Sequence, residues 1–94
     1  MPYPNNVFYS EHGERRRQNL GVREPQIQEA LREGDIIETY PDTGRGPSYL
    51  LLHWIGDAPI HVVAADKDGF TVIVTVYDPR TEPDEWTDDY SQRS

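Results

Sequence analysis

The sequence contains no cysteine, one methionine, and no apolar run near the ~18–20 residues that a membrane-spanning helix needs. Without cysteine there are no disulfides, no thiolate nucleophiles and no thiolate metal sites. The amino terminus lacks the basic-then-apolar layout of a signal peptide, so the expected location is cytoplasmic, with no membrane partner. Basic side chains are also scarce, nine against seventeen acidic ones, for a formal net charge of −8. Nucleic-acid affinity comes largely from neutralising phosphates, so this balance argues against a DNA-binding protein. With 94 residues there is room for one core and no second domain.

What is present is unevenly placed. Residues 1–34 carry five basic side chains (Arg15, Arg16, Arg17, Arg23, Arg32) and five glutamates, and sum to zero. Residues 35–94 carry four basic and twelve acidic side chains, which accounts for the whole −8. An anion would therefore meet the first part of the chain and be repelled by the second.

Pro2, Pro4 and Asn5-Asn6 make residues 1–7 a flexible segment, with a single domain over 8–94. Ser10 offers an N-cap, Glu11 and Glu14 suit the first turn, and Gly21 is a natural stop, which predicts a helix ending near Leu20. Pro25 opens a second helix with Ile27, Ala30 and Leu31 on one face and Gly34 closing it. Four runs rich in β-branched and aromatic residues follow: Asp35–Tyr40, Tyr49–Trp54, Ile60–Ala65 and Phe70–Tyr77. The gaps between them are too short for crossover helices. The expected fold is α+β: two short N-terminal helices on a four-stranded antiparallel meander, with a C-terminal tail packing back. Trp86 and Tyr90, four apart, suggest a last helical turn in that tail.

Register places the polar side chains. Asp66-Lys67-Asp68-Gly69 suits a three-residue loop with a glycine bulge, pairing Asp66 with Phe70 and so His61 with Thr75. That register gathers Ile60, Val62, Ala64, Val72, Val74 and Val76 on one aliphatic face and avoids burying threonine hydroxyls. The preceding hairpin allows a two- or three-residue loop. Hydrophobic sorting favours three, with Leu50, Leu52 and Trp54 on the aliphatic face. Tyr49, His53, His61, Thr75 and Tyr77 would then share the face away from the helices.

The order Tyr9-Ser10-Glu11-His12, Arg16, Gly21-Val22, Ala30-Leu31-Arg32-Glu33-Gly34 and Ile36-Ile37-Glu38-Thr39-Tyr40-Pro41 resembles a known family. It continues in Ala58-Pro59-Ile60-His61-Val62-Val63-Ala64, Val74-Thr75-Val76-Tyr77-Asp78-Pro79, Trp86 and Arg93. The chain resembles the bacterial domain-of-unknown-function family 4258 over about residues 8–93. The resemblance implies a fold of the RelE, barnase and colicin nuclease group, in which the open sheet face cuts RNA. The positions matching the family's polar motif are His12, Arg16, His61, Thr75, Tyr77, Trp86 and Arg93. Family members usually carry arginine where this chain has Leu20, and Arg15 and Arg17 are the nearby candidates to compensate.

Metal-independent RNA cleavage needs a base, an acid and cations for the phosphorane. His61 and His12 could exchange protons, with Thr75 and Tyr77 beside them, while Arg16 and Arg93 hold phosphate and Trp86 or Tyr77 stacks a base. Plainer readings stand beside these. His61 could be a satisfied strand residue, His12 a solvated helix start, Trp86 an anchor for the tail, and the tail's six acids a solvated surface. No phosphate-binding glycine loop, nucleophile elbow or paired-histidine zinc spacing occurs, so neither metal nor cofactor is expected. Two functions remain. One is a RelE/barnase-like RNA-cleaving toxin module or its inactive descendant. The other is a non-catalytic domain binding a protein partner, antitoxin-like in kind, through the open sheet face or the acidic tail. Toxins of the group are usually basic, so the −8 counts against an active free ribonuclease.

Overall fold

The computed structural model describes residues 6–40, 47–67 and 69–94. In chain order the elements are β1 (Asn6–Tyr9), α1 (Glu11–Leu20), α2 (Glu24–Glu33), β2 (Asp35–Tyr40), β3 (Ser48–Ile55), β4 (Ala58–Lys67) and β5 (Phe70–Tyr77). Two single turns of 3₁₀ helix follow, at Pro79–Thr81 and Pro83–Glu85. The strands form one five-stranded sheet in the order β1-β5-β4-β3-β2.

The α+β class and both helices match expectation; the sheet does not. It has five strands rather than four, and it is mixed. β1 pairs in parallel with β5, with Val7 opposite Thr71 and Tyr9 opposite Ile73. Asn6 and Val7 were expected in a flexible segment and instead start this edge strand. Residues 1–5 and the turn expected over Pro41–Pro47, up to residue 46, lie outside the described residues.

The helices end where local chemistry dictates. The Ser10 hydroxyl accepts from Gly13 N at 2.9 Å, and Gly21 stops α1 in the left-handed conformation at φ 71°. Ile27, Ala30 and Leu31 give α2 its buried stripe. They pack with Tyr49, Leu51, Ile60, Val62, Ala64, Ile73 and Val76 in the main core. In α1 only Gly13 is buried. This helix runs beside the far half of β5, where the short β1 has ended, and fixes itself through Ser10. The Ser10 N–H donates to the Ile73 carbonyl at 3.0 Å and its hydroxyl to the Val74 carbonyl at 2.9 Å.

Both hairpin registers differ from those expected. Ile55 pairs with Ala58, so Gly56-Asp57 is a two-residue loop, with Gly56 at φ 61° as its type II′ geometry requires. Leu51 therefore faces Val62, and His53 faces Ile60. Tyr49 and His53 lie on the helix side, and Leu50, Leu52 and Trp54 on the other. Lys67 pairs with Phe70 across the last turn, and a bulge at Val74 then shifts the ladder by one. His61 consequently faces Tyr77, while Thr75 faces Val63. Val76 keeps its expected core position, while Ile73 and Thr71 take those expected for Val74 and Val72. The Thr71 hydroxyl donates to Asp66 Oδ1 at 2.8 Å.

The sheet face away from α2 is not open along its length. Residues 79–94 fold back across it, with Trp86 buried at 5 % exposure. There is no last helical turn at 86–90. Trp86 forms an isolated antiparallel bridge with Arg93, and Tyr90 turns the chain between them at φ 63°. No helix among the described residues is long and apolar enough to cross a membrane.

Candidate functional site

Tyr77 stands at the end of β5 on the face covered by the tail, and β4 places His61 directly opposite. His61 is fully buried. Its Nε2 lies 2.9 Å from the Tyr90 carbonyl oxygen, which can only accept, so Nε2 carries the proton. Nδ1 is then the acceptor for the Tyr77 hydroxyl at 3.1 Å. Burial pushes the His61 pKa below the ordinary histidine value, against the opposing pull of the Tyr90 carbonyl and Glu38. The imidazole is neutral and both nitrogens are occupied. Burial, with Tyr40 nearby, also raises the Tyr77 hydroxyl to about 12.

Aromatic and ionic contacts close the site from above. The Trp86 ring meets His61 edge-on, with centroids 4.4 Å apart, and the Arg93 guanidinium lies 4.6 Å over its ring centre. Arg93 Nε donates to Glu38 Oε2 at 2.8 Å, and Nη1 to Glu85 Oε2 at 3.3 Å. Glu38 also accepts from the Tyr40 hydroxyl at 2.7 Å. That hydroxyl, together with Arg93, holds the Glu38 carboxyl below the usual range. Tyr90 packs beside Trp54, with ring centroids 6.2 Å apart.

Beside this cluster lies a cleft of about 190 Å³ lined by Arg16, Tyr77, Thr81, Glu82, Glu85, Trp86 and Arg93. Ligand pockets for whole small molecules run to roughly 300–1,000 Å³, so this one suits a single group such as a phosphate. The three consecutive arginines of α1 diverge as helical geometry requires. Arg15 pairs with Glu11 at 3.4 Å. Arg17 pairs with Glu14, donates to the Val22 carbonyl at 2.8 Å and covers the Tyr9 ring. Arg16 lines the cleft with no ion pair among the described residues.

Of the seven expected site residues, Arg16, Tyr77, Trp86 and Arg93 meet in this cleft, and His61 lies beneath two of them. His12 is exposed in the first turn of α1. It stands four residues before Arg16 and so shares its helix face. Thr75 is half-buried, two residues from Tyr77, and is not the cross-strand neighbour of His61. His53 lies on the other side of the sheet, 3.9 Å from Glu29 of α2. Arg15 and Arg17, expected as candidates to compensate for Leu20, are paired with Glu11 and Glu14. Arg80 lines a second small cleft with Leu20 and is tied to Asp78 at 2.8 Å. Among the described residues no group of three or more His, Cys, Asp or Glu is placed to hold a metal ion.

Sequence reasoning gave no site role to Glu38 or Tyr40, and it counted Glu85 among the tail's six acids, read as a solvated surface or a cover over a basic one. The signal for the first two was their spacing: an acid and a tyrosine two apart on a strand project to the same face.

The family model described as a domain of unknown function (DUF4258) matches residues 9–78. The chain belongs to that family. The match includes His12, Arg16, His61, Thr75 and Tyr77 and ends before Trp86 and Arg93, so the closing tail lies beyond the matched residues. No curated protein and no solved structure matches the chain.

Proposed function

We propose that this protein is a descendant of RelE/barnase-like RNA-cleaving toxins that keeps a cleft for an RNA phosphate and has lost cleavage. One observation carries the reading. Arg16 and Arg93, seventy-seven positions apart by subtraction (93 − 16), flank Tyr77 and Trp86 in a space the size of a phosphate group. Arginine holds phosphate oxygens through paired donors, and Arg16 is unengaged among the described residues.

Loss of cleavage is supported by His61. Acid–base catalysis needs groups that titrate while facing the substrate, and two of them. His61 is buried, neutral and bonded through both nitrogens. His12 is then the one exposed histidine on the cleft side of α1. A lone proton-transfer group leaves either the attacking hydroxyl or the leaving oxygen unassisted.

The test uses purified protein and a fluorescein-labelled single-stranded oligoribonucleotide at low salt. Anisotropy should report binding that Arg16→Ala weakens about tenfold, the scale of one lost charge-assisted contact. No cleavage products should form, and induced expression should leave bacterial growth unchanged. Equal binding by Arg16→Ala would overturn the cleft, and specific cleavage by the wild type would restore the enzyme reading.

A second reading is favoured by the tail. Glu82, Asp84 and Asp88 are exposed on a segment pinned by Trp86, which presents fixed negative charge to a basic protein partner. A stable partner in a pull-down, lost on Trp86→Ala, would support it.

A further inference from the structure

We propose that Glu82 and Glu85, on the same C-terminal segment (residues 79–94) that brings Trp86 and Arg93 to the cleft, are intramolecular antagonists of phosphate binding there, with carboxylates where RNA phosphate oxygens would bind. The inference rests on the RNA-binding reading and concerns regulation of the same site.

The cleft's two arginines are not its only charges. Glu82 and Glu85, both from the folded-back segment, line it as well. Arg93 already holds three carboxylate oxygens: two of Glu38, at 2.8 and 3.3 Å, and one of Glu85 at 3.3 Å. These are the contacts a guanidinium makes to a phosphate, supplied from within the chain. The segment is held in place by Trp86, Tyr90 and Arg93, of which Trp86 and Arg93 also line the cleft. Trp86 is buried against His61, the Tyr90 carbonyl accepts from His61 Nε2, and the Trp86–Arg93 bridge closes the loop. The carboxylates of Glu82 and Glu85 are distinct from the Trp86 ring and the Tyr90 carbonyl that seat the segment on His61, so their charge can be removed while that anchor stays.

Occupancy by Glu82 and Glu85 opposes RNA in two ways. Their charge repels the phosphate, and Arg93 must release Glu85 before it can engage a ligand. Neutralising both should strengthen binding by more than the loss of two negative charges does elsewhere in the same tail. Asp84 and Asp88 supply that comparison, because both are exposed and neither lines the cleft.

The experiment compares the wild type, Glu82→Gln/Glu85→Gln and Asp84→Asn/Asp88→Asn by anisotropy with the same labelled oligoribonucleotide. Circular dichroism confirms that each is folded. The glutamine pair should bind at least about tenfold more tightly than the wild type, and the asparagine pair within about threefold of it. Adding Arg16→Ala to the glutamine pair should remove the gain. Equal gains in both pairs, or no gain in the glutamine pair when the wild type binds, overturns the antagonist and leaves the RNA reading standing. No binding by any of the three overturns the RNA reading and the antagonist with it.

Discussion

The Tyr77 hydroxyl donates to Nδ1 of His61 across 3.1 Å, and this bond fixes the histidine as a neutral acceptor at the base of the cleft. Protonating Nδ1 would turn the acceptor into a donor and place a charge where burial already disfavours it. The folded-state pKa of His61 is depressed, so over a window opening near the ordinary value of 6.5 and extending downward the unfolded chain binds the extra proton. Stability should therefore fall as pH drops from about 7.5 toward 5, with a slope of at most about 1.4 kcal/mol per pH unit for one proton. Urea unfolding at stepped pH measures it, with His61→Gln as reference. An equally steep fall in the variant would assign the titration to another group.

The same two contacts make His61 a structural residue. His61→Ala leaves the Tyr90 carbonyl and the Tyr77 hydroxyl without their partners and opens space beneath Trp86. The expected loss is about 2–4 kcal/mol, from unpaired polar groups plus a cavity. A loss of activity on His61→Ala would thus not identify a catalytic group unless folding were measured alongside. A variant as stable as the wild type would sink this view of the site.

Trp86→Ala should free the tail. The ring is buried between His61 and Arg93, and its removal is expected to cost about 3–5 kcal/mol. Limited proteolysis should then cleave first at Arg80, and backbone amides over residues 79–94 should exchange faster than those of β4. Uniform destabilisation of sheet and tail together would show that the tail is part of the fold rather than a cover laid on it.

Local features were legible in the sequence, and pairings distant along the chain were not. Ser10, Gly21, Pro25 and Gly34 mark the helix ends through interactions spanning a few residues, and each does so in the structure. β1 is four residues long and acquires its meaning only from β5, sixty-four positions later by register (70 − 6). The registers failed for a specific reason. Reading strands as having one open face made Leu50-Leu51-Leu52 a problem of sorting. These three residues are buried together, at 0, 1 and 5 % exposure, because α2 covers one face of β3 and the tail the other. A continuous apolar run is the signature of a strand covered on both sides. Of the site, Arg16, Tyr77, Trp86 and Arg93 were legible as residue types, but the acids that engage Arg93 were visible only once the tail had been placed.

The last hairpin misled through Thr71. Its burial counted as a cost, and the structure removes that cost with one acceptor. Asp66 Oδ1 takes the Thr71 hydroxyl at 2.8 Å and the Tyr49 hydroxyl at 3.0 Å. Asp66→Ala should therefore strand two hydroxyls of buried residues and cost about 2–4 kcal/mol. Thr71→Val removes one donor, leaves Tyr49 bonded and should cost less than about 1.5 kcal/mol. Denaturant midpoints of the two variants measure the difference. Equal losses would mean that Asp66 is not the shared acceptor that sets this register.

Gly13 tests how α1 is seated. It is the one buried residue of the helix, and a Cβ built there would collide with the Ile73 carbonyl oxygen, a backbone atom of β5. In an exposed helix Gly→Ala stabilises by about 1 kcal/mol. Here the helix must instead move off the strand, straining the Ser10 bonds to Ile73 and Val74. Overpacking of this kind costs about 1–3 kcal/mol, so the net effect of Gly13→Ala should be destabilising. Because Arg16 lies less than one turn further along α1, the displacement should also weaken RNA binding. Asn19→Ala, exposed on the same helix, gives the propensity gain without the collision. If Gly13→Ala raised the thermal midpoint as Asn19→Ala should, α1 would not be held against β5 by this close approach.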